Sequence, residues 1–148
     1  MSAVAIEIEA RSLDAIVARL GGLPAELDES RLVDVAANVV ESQTRRRILE
    51  DKAGPDGDPW ADWSPAYAAT RHGGQSLLQG RGDLLDSIFG EARGGTGVVG
   101  TNMIYGAVQQ LGSRGEGGVP ARPFLGISDP DFAELESVLG DLFRGMVQ

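Results

Sequence analysis

Residues 129–146 read DPDFAELESVLGDLFRGM. Asp129 is a good helix N-cap by residue type. Pro130 suits the first helical turn, where its missing N–H costs nothing. Phe132, Leu135, Val138, Leu139, Leu142, Phe143 and Met146 then cover about 140° of one helical face. Gly145 ends the run. A helix with one apolar face must bury it against a second layer, so the remainder of the chain has to supply that layer.

Moving outward, residues 122–127 read as a short strand, and residues 113–119 as a polar, glycine-rich loop. Asn102 is placed to cap a helix through Leu111, with Ile104, Val108 and Leu111 on one side and Gly112 as its stop. Leu84 to Ala92 and Gly97 to Thr101 read as hairpin strands around Arg93-Gly94-Gly95-Thr96. At the other end, Val4, Ile6 and Ile8 alternate with Ala5, Glu7 and Glu9, the period of a strand with one wet face. Ser12 is the expected cap of a helix carrying Leu13, Ile16, Val17 and Leu20, stopped by Gly21, Gly22 and Pro24. A longer helix is expected from about Glu29 to Glu50. Leu32, Val33, Val35, Ala36, Val39 and Val40 share one face, which continues as Gln43 and Arg47. That half of the stripe must be wet or covered by something polar. The predicted class is α+β: a small mixed domain with an N-terminal strand, several amphipathic helices, a short antiparallel sheet and a C-terminal helix.

The 148 residues fit a single domain over 1–148, with mobile loops expected near 52–62, 72–83 and 112–121. There is no cysteine, which excludes disulfides, thiolate metal sites and cysteine nucleophiles. The one histidine, His72, rules out a site needing two imidazoles. No apolar run has the length of a membrane span, and the first residues lack the basic start of a signal peptide. The net charge is −9, spread evenly along the chain without a basic arm or an acidic tail. Phosphate neutralisation dominates nucleic-acid binding, so a DNA-grasping role is disfavoured. Arg45-Arg46-Arg47 does not alter this, because consecutive helical side chains fan over about 200° and cannot form one clamp.

Catalytic, cofactor and metal sites are not expected. Gly95-x-Gly97-x-x-Gly100 spells a dinucleotide fingerprint, but its glycines fall inside a hairpin rather than a strand–turn–helix frame. Arg81-Gly82-Asp83 is a chance tripeptide. Asp56, Asp58 and Asp62 lack the ligand ladder and the bidentate carboxylate of a calcium loop. His72 has no orienting partner that spacing can place beside it. Trp60 and Trp63, three apart before the Ser64-Pro65 helix start, are expected to anchor their loop to the core.

The central and C-terminal motifs, taken in order, resemble the Mu-type phage virion morphogenesis proteins of the tail-completion group. They are Gly57 to Trp60, Trp63-Ser64, Leu77-Leu78, Gly82-Asp83-Leu84-Leu85-Asp86-Ser87-Ile88, Val99-Gly100-Thr101-Asn102, Tyr105-Gly106, Gln110-Leu111-Gly112 and Pro120-Ala121-Arg122-Pro123-Phe124-Leu125-Gly126. Gly106 stands where the family pattern has alanine, Gln109 where it has histidine, and Leu111 where it has an aromatic residue.

The resemblance implies a structural protein of the virion neck that completes the tail and joins it to the head. The implied partners are further copies of itself in a ring expected to be hexameric, a tail-tube or terminator protein, and a head connector. DNA would pass through without specific binding, the spread acidity repelling it. A head-to-tail ring needs two different surfaces on each subunit. Arg122, Pro123, Phe124, Arg47, Tyr105 and Gln110 are the expected subunit or neck interface residues. The alternative reading is a host-side acidic module that blocks a basic partner.

Overall fold

The computed structural model describes residues 3–71, 75–79, 82–114 and 118–146. Strand β1 (Val4–Glu9) runs into a 3-10 turn (Ala10–Leu13) and helix α1 (Asp14–Arg19). Helix α2 (Glu29–Arg46) follows and widens into a π turn (Arg47–Asp51). Short helices α3 (Pro65–Ala68) and α4 (Asp83–Ser87) precede strands β2 (Phe89–Arg93) and β3 (Thr96–Thr101). Helices α5 (Ile104–Leu111) and α6 (Asp129–Met146) complete the chain. The α+β class therefore holds.

The strands form one antiparallel sheet in the order β1-β3-β2. Val4 faces Thr101 and Glu9 faces Thr96 across one ladder, and Phe89 faces Gly100 across the other. Gly94 and Gly95 both have positive φ, as a two-residue hairpin turn with the native strand twist requires. The glycines of the apparent fingerprint thus belong to a hairpin, as their spacing predicted. Helix α2 lies across the sheet. A Cβ at Gly90 would stand 2.4 Å from the Ala37 carbonyl oxygen, so the side-chain-free position sets the close approach of helix and strand. Leu32, Val33, Ala36 and Val40 of α2 and Leu135, Leu139 and Phe143 of α6 meet in the core with Leu13, Ile16, Ile48 and Phe124.

Several local expectations are corrected. Residues 84–87 are helical rather than extended. Leu84 and Ile88 are both buried, and their i, i+4 spacing fits a helical turn as well as it fits a strand. Ser12 caps nothing, because the chain enters α1 through a 3-10 turn without a side-chain cap. Asn102 does not cap α5; the Thr101 hydroxyl accepts from the Met103 N–H at 3.0 Å instead. At α6 the cap is Ser128, not Asp129. Its hydroxyl accepts from the Asp131 N–H, and the Asp131 carboxylate accepts from the Ser128 N–H, each at 3.1 Å, a reciprocal capping box. Residues 122–127 belong to no strand.

Candidate functional site

Beyond the Arg122 N–H, which bonds the Gln109 carbonyl, segment 122–128 is hydrogen-bonded mainly by side chains where a strand would have used a neighbour's backbone. The buried Arg122 donates from Nε to the Ala61 carbonyl at 2.8 Å and from Nη2 to the Asp62 carbonyl at 3.0 Å. The Trp60 indole donates to the Pro123 carbonyl at 2.8 Å. The Gln110 side-chain oxygen accepts from the N–H groups of Phe124 and Leu125, both at 3.0 Å, and its amide donates to the Leu125 carbonyl. Arg47 donates to the Phe124 carbonyl at 2.9 Å. Buried backbone groups must be paired, and here the side chains of Arg47, Trp60 and Gln110, from distant parts of the sequence, do much of the pairing.

Arg47 also meets the Asp131 carboxylate at 2.6 Å, and both side chains are sealed from water. Its two neighbours turn elsewhere. Arg45 donates to the Leu85 and Ile88 carbonyls. Arg46 pairs with Glu134 at 3.3 Å. The basic triplet is thus divided three ways, as its helical fan predicted. Hydrogen bonds from Gln43 and then Arg46 hold the Glu134 carboxyl below its ordinary pKa. Gln43, expected to be wet or covered by something polar, is buried beneath the start of α6 and donates to the Asp131 carbonyl at 3.0 Å.

A groove of about 730 Å³ opens beside this segment. Trp63, Tyr67, Leu78, Tyr105 and Val119 give it aromatic and apolar walls; Arg71, Arg122 and Gln109, with the carboxylates of Asp62 and Asp83, give it polar ones. Trp63 and Tyr67 pack edge to face at 6.0 Å, and the Arg71 guanidinium sits 4.4 Å above the Tyr67 ring. One wall is tied down by the single lysine. The Lys52 ammonium donates to the Ile48 carbonyl, the Ser76 hydroxyl and the Leu77 carbonyl. Burial pushes its pKa down.

Next to the groove, α5 turns large apolar side chains outward. Ile104 is 87% exposed and Leu111 is 74% exposed, with Tyr105 and Val108 also exposed. Its buried side is small: a Cβ at Gly106 would meet the Thr101 methyl at 2.5 Å.

The structure gathers Arg122, Pro123, Phe124, Arg47 and Gln110 into one internal cluster. Arg47 and Phe124 are spent within the chain and offer no surface to a neighbour. Arg122 is also buried, but it lines the groove. Tyr105 stays at the surface. Trp60 anchors its loop through Pro123, while Trp63 is half-buried on the groove wall. Sequence reading missed the Asp131 partner, the Arg71–Tyr67 stack and the outward aim of Ile104 and Leu111. The signal for the last was a helix with small residues at 106 and 107 and bulky ones at 104, 108 and 111. His72 and Arg81 lie outside the described residues. Among the described residues no three His, Asp or Glu side chains are grouped to hold a metal ion, and no helix is long and apolar enough to cross a membrane.

Two curated relatives are similar to the chain in sequence. The Putative capsid assembly protein G of Escherichia phage Mu is 35% identical over 103 residues, covering 63% of this chain and 65% of that protein. The Mu-like prophage FluMu G protein 2 of Haemophilus influenzae is 33% identical over 70 residues, covering 45% of this chain and 51% of that protein. The matches thus span between about half and two thirds of these relatives' length. No solved structure matches the chain. The phage virion morphogenesis family matches residues 8–144, nearly the whole fold described above, and the chain belongs to that family.

Proposed function

We propose that the chain is a structural subunit of the phage neck, one that completes the tail and joins it to the head as part of a ring. The observation that carries this reading is the apolar ridge of α5 beside a formed groove, with Ile104 and Leu111 the two most exposed of the large apolar side chains described. Exposed Ile104 and Leu111 are costly to leave in water, since each buried aliphatic side chain is worth about 2 kcal/mol. Such a ridge suits contacts that form on assembly. The clamped 122–128 segment is then a rigid backing for that surface rather than a contact itself. The role is one of assembly, not catalysis.

A second reading places the chain in assembly of the head, and the name carried by the phage Mu relative favours it. Gold labelling of an epitope-tagged chain in purified virions separates the readings. Label at the head–tail junction supports the neck. Label over the shell, or only in unfinished heads, supports head assembly. A chain absent from both would restore the host-side acidic binder.

A further inference from the structure

We infer that the groove receives the 23–26 turn of a second copy, with Glu26 of that copy pairing with Arg122 and Arg71. The inference rests on the proposed ring and names the two surfaces that would build it.

Two polar groups on the groove wall are incomplete. Arg122 is 7% exposed, yet among the described residues its guanidinium bonds only two backbone carbonyls and forms no ion pair, Asp62 acting on it only at longer range. Its Nη1 group has no acceptor among them. Asp62 stays outside ion-pair range and compensates this buried cation only in part: burial lowers its pKa, and the Asp62 charge opposes that lowering. Beside it, the Gln109 side-chain oxygen is buried without a donor among the described residues. The two residues are adjacent, the Arg122 N–H donating to the Gln109 carbonyl at 2.7 Å. A ligand completing this wall must bring both a carboxylate and an N–H group. A peptide carries both. A phosphate brings only the anion, and a strongly acidic chain repels the polyanion that holds it.

The 23–26 turn has the complementary chemistry. Leu23 and Glu26 are exposed, and Glu26 makes no ion pair among the described residues. The N–H groups of Ala25 and Glu26 are not hydrogen-bonded within the described residues. Leu23 suits the aromatic wall of Trp63, Tyr67 and Tyr105, Glu26 suits the arginines, and a free N–H suits Gln109. The positions fit as well. The turn precedes Asp28, which caps the start of α2, whereas the groove residue Leu84 begins the segment that Arg45, near the end of α2, holds through Leu85 and Ile88. Eighteen helical residues put these ends about 27 Å apart. Two unlike surfaces at opposite ends of one subunit give a heterologous contact, the kind that closes into a ring.

Charge reversal tests the pairing. Glu26→Lys, Arg71→Glu and the double variant are made in the full chain and checked for unchanged melting. Each is measured by sedimentation over a concentration series and by plating of a phage with a stop codon in this gene, complemented from a plasmid. Each single reversal should weaken association and lower plating at least tenfold, and the double variant should recover most of both. Where the wild-type chain stays monomeric without a tail, plating decides. Singles that behave as wild type overturn the inference. So does a double variant no better than the singles. Loss with Arg71→Glu alone would assign the groove to another virion protein or to DNA, and also overturns it. Normal plating of the reversed variants in a phage that needs the chain sinks this contact only. A phage that forms normal particles without the chain sinks the neck reading instead.

Discussion

Arg47 and Asp131 are each sealed from water and depend on each other for compensation. Removing one charge strands the other, which costs about 3–5 kcal/mol. Arg47→Ala should lower stability by that amount in urea unfolding, while Arg47→Met with Asp131→Leu should cost clearly less than the two single changes summed. Gln110 satisfies three backbone groups of residues 124 and 125. Gln110→Ala should therefore cost about 2 kcal/mol or more, read as a lower melting temperature. Glu134 gives a pH signature. Its carboxyl is held below the ordinary range by Gln43 and Arg46, so its stabilisation is present above the unfolded-state pKa and is lost as pH falls through the lower folded value. The stability gap between the wild-type chain and Glu134→Gln should be full at neutral pH and fade below about pH 4. The site is half exposed, so the gap should stay under about 1 kcal/mol. At this scale the sequence revealed that the α2 stripe changes from apolar to polar after Val40. It could not reveal the partner, because Asp131 lies 84 residues further on.

The strongly periodic elements, β1, α2 and α6, were legible because burial repeats along them at the period of their own geometry. The failures fell where tertiary contacts override a short local pattern. Residues 84–87 carry too few apolar positions to separate a helical turn from a strand. Residues 122–127 have strand-like residues but find side chains of Arg47, Trp60 and Gln110 in place of a strand partner, and no local signal encodes that. The close crossing of α2 over β2 was legible only as a surplus of glycine. It supplies a sharp test: Gly90→Ala places a methyl group against the Ala37 carbonyl. The helix and strand must then separate, at about 1–3 kcal/mol, read by denaturant unfolding. Gly145, with nothing within 4 Å of an added Cβ, is the tolerant control.

For the whole molecule, the fold and the proposed assembly surface share Arg122 and otherwise lie apart. The cluster around residues 122–128 backs the structure, and the α5 ridge with the neighbouring groove faces outward. Ile104→Ser with Leu111→Ser should leave monomer stability within about 0.5 kcal/mol per site, as surface changes do, while abolishing complementation of a phage that lacks the chain. The family was legible in the ordered motifs, whose spacing survives the departures at Gly106, Gln109 and Leu111. The proposed contact surface was not, because the motif residues expected to reach neighbours are mostly spent inside the chain. The neck role itself is tested most directly by a stop codon in this gene followed by negative-stain imaging of the lysate. DNA-filled heads beside detached tails are the expected result. Normal, infectious particles would contradict it.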